Sequence, residues 1–122
     1  MSAGVEATIL VVEDESILAM LLEDFLLELG HRAPTIACTV CQALETLAAR
    51  DVRFAILDIN LGGETSFPVA DRLDALGIPY IFTTGYGAAG VPERLRSRYI
   101  LQKPYGADDL RRAIAAHGPV AN

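Results

Sequence analysis

The chain has 122 residues, 52% hydrophobic and 21% charged. That is enough for one buried core and too apolar for a disordered segment, and no apolar run approaches the roughly 18 residues that span a bilayer. A formal charge of −6 opposes sequence-independent binding to nucleic acid, which draws on positive charge. The opening Met-Ser-Ala-Gly-Val-Glu lacks the basic and apolar regions of a secretory signal. A cytoplasmic protein with neither a membrane nor a direct nucleic-acid partner is expected.

Short apolar runs alternate with helix-period patterns. Thr8–Val12 reads as a first strand. Ser16 suits the cap of a helix to Leu29, with Leu18, Leu21, Leu22, Phe25 and Leu29 inward and Gly30 as its stop. Residues 32–37 read as an edge strand, since Pro34 cannot donate to a central ladder. Thr39 caps a second helix to about Arg50, and Phe54–Asp58 is a strand apolar enough to be buried on both faces. After the loop 61–65, Ser66 suits the cap of a third helix, with Pro68 in its first turn and Gly77 at its end. Ile78 to Thr83 or Thr84 is the fourth strand. The glycine-rich loop 85–90 leads to a short helix starting near Pro92. Tyr99–Gln102 is the fifth strand, and Ala107 to about His117 is the last helix, with Asp108 and Asp109 at its positive end. Five β/α units with helical crossovers predict an α/β fold: a parallel sheet covered on both faces, in one domain spanning residues 1–122 with its core at about 7–117.

In such a sheet, ligands bind beyond the carboxyl ends of the strands. Glu13 and Asp14 follow the first strand and Asp58 ends the third. Thr84 ends the fourth, and Lys103, the chain's sole lysine, follows the fifth. Two like charges 4 Å apart repel by roughly 4 kcal/mol at an effective dielectric near 20, so three carboxylates there call for a counter-cation. Hard oxygen donors without His or Cys favour Mg²⁺. Mg²⁺ beside a carboxylate, a hydroxyl and an ammonium is equipment for phosphoryl transfer. Asp58, on the most buried strand, is the best nucleophile, with Thr84 and Lys103 placed to bind phosphoryl oxygens.

Four stretches, Val11-Val12-Glu13-Asp14-Glu15, Leu57-Asp58-Ile59-Asn60-Leu61, Phe82-Thr83-Thr84-Gly85-Tyr86 and Gln102-Lys103-Pro104-Tyr105, closely resemble the receiver domain of two-component response regulators. The resemblance covers about Ala7 to His117. It implies a flavodoxin-like, doubly wound (βα)5 fold with strand order 2-1-3-4-5. It also implies phosphorylation on Asp58 by a histidine kinase or phosphotransfer protein, the domain acting on itself rather than as an enzyme on other substrates; with 122 residues filled by the receiver, a stand-alone receiver is expected. Asp14, Asp58 and the Asn60 backbone carbonyl would hold Mg²⁺, with Glu13 acting through water. Thr84 and Lys103 would contact the phosphoryl group, and the Lys103–Pro104 bond is often cis in the family. The family's aromatic switch position is Ile100 here, with Tyr99 beside it. Phe82–Tyr86 partly resembles the Phe-Ala-Thr-Gly-x-Tyr motif of a receiver subgroup. Tyr86, on a loop opened by Gly85, is then either a substitute switch or a surface-packed ring. The signal would leave to an unknown partner through the face of helix four, strand five and helix five, or the domain would serve as a phosphate sink.

Other signals compete. Cys38-Thr39-Val40-Cys41 has the spacing of a redox pair, with Cys41 alternatively a small core residue. Asp58-Ile59-Asn60 resembles the Asp-x-Asp of aspartyl-phosphate phosphatases, but Asn60 replaces their general acid. A pseudo-receiver that only binds partners is a third class. Arg94, Arg96, Arg98, Lys103, Arg111 and Arg112 crowd the last third, as a docking face for an acidic partner or as ordinary solvated charges.

Overall fold

The longest strand, β3 (Val52–Asp58), lies at the centre of a five-stranded parallel sheet. The computed structural model describes residues 7–85, 90–96 and 98–118. The order is β2-β1-β3-β4-β5, with β1 at Thr8–Val12, β2 at Thr35–Ala37, β4 at Tyr80–Thr84 and β5 at Ile100–Gln102. The register places Val11 beside Ile56 and Ile56 beside Ile81, and Val12 beside Leu57 and Leu57 beside Phe82. Side chains alternate along a strand, so these rows face opposite ways. Val11, Ile56, Ile81 and Leu101 pack with Leu22 and Leu26 of α1 (Ser16–Glu28) and with Leu110 and Ala113 of α4 (Ala107–His117). Val12, Leu57 and Phe82 pack with Ala43 and Leu47 of α2 (Val40–Ala49) and with Val69 and Leu73 of α3 (Phe67–Leu76). β3 is therefore buried on both faces, as its unbroken apolar run implies. The flavodoxin-like architecture and strand order are those expected.

The differences are local. Glu15, not Ser16, is the N-cap of α1, and it makes no side-chain capping bond. The buried stripe of α1 is Ala19, Leu22 and Leu26, while Leu21 is exposed. This helix is apolar around most of its circumference, so spacing alone does not single out its inner face. The expected fourth helix is a three-residue 3-10 turn, Glu93–Leu95, begun at Pro92. Cys38 and Cys41 are both exposed, so Cys41 is not a core residue. The crowded basic residues do not form a free basic face. Arg94 pairs with Asp71, Arg98 with Asp74, Arg111 with Asp108, Arg112 with Asp108 and Asp109, and Lys103 with Glu13 and Asp58. Arg96 donates to the Val91 carbonyl.

The two serine/threonine caps differ. Thr39 Oγ1 accepts the Gln42 N–H at 3.1 Å. Ser66 occupies the N-cap of α3, but its hydroxyl makes no capping bond and is buried without a partner. Thr39→Ala is expected to cost about 1 kcal/mol by urea denaturation. Ser66→Ala is expected to be neutral or stabilising, because it removes a desolvated hydroxyl that bonds to nothing.

Candidate functional site

The parallel ladder continues one residue beyond several strands, and this continuation places the site. Glu13 N–H donates to the Ala37 carbonyl (3.0 Å), Ile59 N–H to Thr83 (3.0 Å) and Lys103 N–H to Thr84 (2.8 Å). Glu13, Asp58 and Lys103 are thereby brought to one edge. Lys103 Nζ lies 3.2 Å from Asp58 Oδ1 and 3.3 Å from Glu13 Oε1. The second Glu13 oxygen accepts the Glu15 N–H at 3.2 Å. One oxygen from each of Glu13, Asp14 and Asp58 lies within 4.8 Å of the others.

Burial and crowding perturb these groups. Desolvation, followed by the Asp58 charge, pushes the Glu13 carboxyl up to about 7, against the Glu15 N–H and the Lys103 ammonium. Burial also raises Asp58, with Asp14 adding to the effect and Lys103 opposing it. Burial by itself would lower Lys103, but the charges of Asp58 and Glu13 outweigh it and keep the ammonium firmly protonated. The cluster thus holds one built-in cation against three carboxylates. Its all-oxygen donor set, without His or Cys, fits a hard divalent ion.

Asp14 is exposed at the mouth of a cleft of about 330 Å³ that Asp58, Asn60, Gly62, Gly85 and Lys103 also line. Gly62 has φ +60°, and a Cβ there would sit 2.8 Å from Asp14 Oδ2. A side chain at that position would push the Asp14 carboxylate out of place. Thr84 is buried at the end of β4, and its carbonyl accepts the Lys103 N–H. The Lys103–Pro104 bond is cis. Tyr86 lies outside the described residues. Ile100 is half-buried, and neighbouring Tyr99 stacks on His117 with ring centroids 4.5 Å apart.

Sequence reasoning gave no role to Gly62 or Tyr105. The doubled glycine after Asp58-Ile59-Asn60-Leu61 was the available sign for Gly62. Tyr105, directly after Lys103-Pro104, packs on Phe25 at 6.4 Å between centroids. Its phenol is raised by burial and then by the charges of Glu13 and Asp58.

No family model matches the chain. Among solved structures, SdrG from Sphingomonas melonis Fr1 is 45% identical with a TM-score of 0.79, covering 95% of this chain and 98% of that one. The BeF3-activated conformation of SdrG from Pseudomonas melonis Fr1 is also 45% identical, with a TM-score of 0.77 over 89% of this chain and 93% of that one. The PhyR response regulator REC domain of Erythrobacter litoralis is 28% identical with a TM-score of 0.77, covering 99% of this chain and 100% of that one. This chain belongs to the response-regulator receiver domains. The phyllosphere-induced regulator PhyR of Methylorubrum extorquens is 31% identical to the receiver over 120 residues, which are 94% of this chain and 45% of the regulator. The receiver therefore spans less than half the length of that curated relative. Its acidic cluster is of the kind that holds Mg²⁺ in receivers, and among the described residues no helix is long and apolar enough to cross a membrane.

Glu13 has a folded pKa of about 7, above its ordinary 4.5, so the folded state holds its proton over that interval while the unfolded state releases it. Its contribution to stability is complete below about pH 4.5 and lost as pH rises through about 7. In chelator, the urea midpoint of the wild type should fall across that window. The fall should be clearly smaller in Glu13→Gln.

Proposed function

We propose that the receiver accepts a phosphoryl group onto Asp58, from a phosphohistidine of a histidine kinase or a phosphotransfer protein, with Mg²⁺ bound at Asp14, Asp58 and the Asn60 carbonyl. Glu13 would assist through water. The observation that carries this reading is the Lys103 ammonium bridging Asp58 and Glu13 inside the acidic cluster. A structural ion pair needs one carboxylate, whereas here one lysine serves two, with a third alongside.

The chemistry follows from the residues. An oxygen of the Asp58 carboxylate attacks phosphorus. The P–N bond to the donor imidazole breaks, a P–O bond forms, and the departing imidazole keeps the electron pair and takes a proton from solvent. Burial raises the basicity of Asp58, which favours attack, and Lys103 opposes that rise. A bound Mg²⁺ would supply charge neutralisation for the phosphoryl oxygens. Lysine is a point charge on a flexible stem, so it can release Glu13 and follow an oxygen of the new phosphoryl group. The Thr84 hydroxyl would take another oxygen. Because Thr84 is buried at the end of β4, that contact would draw on movement of the strand end. BeF3 on a carboxylate mimics a phosphoryl group, and the activated SdrG conformation supports a switch of this type. The output face would comprise the 3-10 turn, β5 and α4, offered to a downstream protein, unless the domain serves as a phosphate sink.

With Mg²⁺ and acetyl phosphate or phosphoramidate, intact mass should show one phosphoryl adduct, absent with chelator and in Asp58→Asn. Failure of the wild type to form an adduct with either the small donors or a phosphorylated kinase domain would reject the reading. Gly62→Ala, which displaces Asp14, should raise the Mg²⁺ concentration for half-maximal labelling by roughly tenfold while leaving Asp58 in place. Titrating the initial labelling rate with Mg²⁺ measures this.

A further inference from the structure

Among the described residues, the main chain of the 3-10 turn bonds locally: Leu95 N–H to Pro92, Arg96 N–H to Glu93 and Arg98 N–H to Leu95. Side chains attach it to the core and to α3. Val91 and Leu95, each 1% exposed, plug the core on the α2 and α3 side. Arg94 reaches α3 with two bonds to Asp71, Nε to Oδ1 at 3.0 Å and Nη2 to Oδ2 at 2.8 Å. Arg98 Nη2 donates to Asp74 Oδ1 at 3.0 Å. The Tyr80 hydroxyl donates to the other Asp74 oxygen at 3.0 Å and accepts from Arg98 Nε at 3.3 Å. Asp71 and Asp74 are three residues apart, so both arginines grip one stripe of α3.

None of these groups lines the acidic cleft. Yet the turn belongs to the stretch of chain that joins Thr84, at the end of β4, to Lys103, after β5. We propose that the pairs Arg94–Asp71 and Arg98–Asp74 form a latch that holds the 3-10 turn against α3 in the unphosphorylated receiver and sets how readily Asp58 is phosphorylated. This rests on the phosphorylation of Asp58 proposed above. The latch bonds exist only with the turn on α3, so they favour that arrangement, and phosphoryl contacts at the cleft favour the alternative. Coupling of this kind is reciprocal: a weaker latch makes phosphorylation easier. Solvent-exposed ion pairs are individually weak, which suits a latch that a single phosphoryl group must open.

The test compares initial rates of labelling by phosphoramidate with Mg²⁺, read by intact mass, together with amide exchange of residues 91–96 before labelling. Asp71→Asn with Asp74→Asn keeps the Tyr80 bond possible and removes both charges. It should label about threefold to tenfold faster than the wild type. Its turn amides should exchange faster, approaching the phosphorylated wild type. The charge swap Asp71→Arg with Arg94→Asp restores one pair and should return the rate to within about twofold of the wild type. Arg94→Gln, in an ion pair whose two members are both exposed, serves if the double variant folds poorly, and should label faster than the wild type by a smaller factor. Unchanged or slower labelling with unchanged exchange, or a swap as fast as the double variant, would overturn the latch. Absence of any adduct in the wild type would instead count against Asp58 as acceptor. Turn exchange in the unlabelled variants would still decide whether the pairs hold the turn.

Discussion

Three carboxylates share one edge of the sheet with a single lysine, and that imbalance organises the molecule. The sheet forces it: β1 and β3 are neighbours, paired in step from Ile9 to Val12, and acids stand directly after β1 and at the end of β3. Lys103 offsets part of the repulsion by bridging Glu13 and Asp58. What it leaves is a cleft poised to accept positive charge and to keep a buried carboxylate basic. Phosphoryl transfer needs both properties, and neither requires a residue beyond those the fold already brings together.

The two sides of this edge are held by different means. The acids are tied down by main-chain bonds that extend the ladder, and Asp14 is shaped by the close approach of Gly62. Beyond β4 the chain reaches a 3-10 turn that Arg94 ties to α3 through Asp71. Reacting groups carried on strand ends suit a site that must hold its geometry.

Much of this was legible because the informative signals are local. The bounds of β1 and α4, the Thr39 cap and the Gly77 stop are set by residues within a turn of them, and the structure repeats them. The site was legible because strand ends are marked by where apolar runs stop, and a parallel sheet carries those ends to one edge. The losses have physical causes. Leucines nearly encircle α1, so the choice of its buried face depends on what packs there. The Ser66 position follows the rule for a cap, yet the entry of the chain into α3 leaves its hydroxyl turned inward. Arg94 and Arg98 meet acids more than 20 residues earlier in the chain, and no local pattern announces such pairs. Gly62 matters through Asp14, on a different strand end.

The pairing of arginines with their own aspartates also governs how this domain is seen from a distance. Arg94, Arg98, Arg111 and Arg112 each carry a counter-charge within 3.0 Å. Such pairs are dipoles, whose field falls away faster than that of a lone charge. Beyond a Debye length of roughly 8 Å at physiological ionic strength, little of that basic composition is felt. An approaching macromolecule meets instead the net −6 of the whole chain. An acidic partner therefore gains no long-range acceleration toward the 3-10 turn, β5 and α4. The net negative charge opposes its approach, and selection falls to fit at contact, after the two surfaces have already touched.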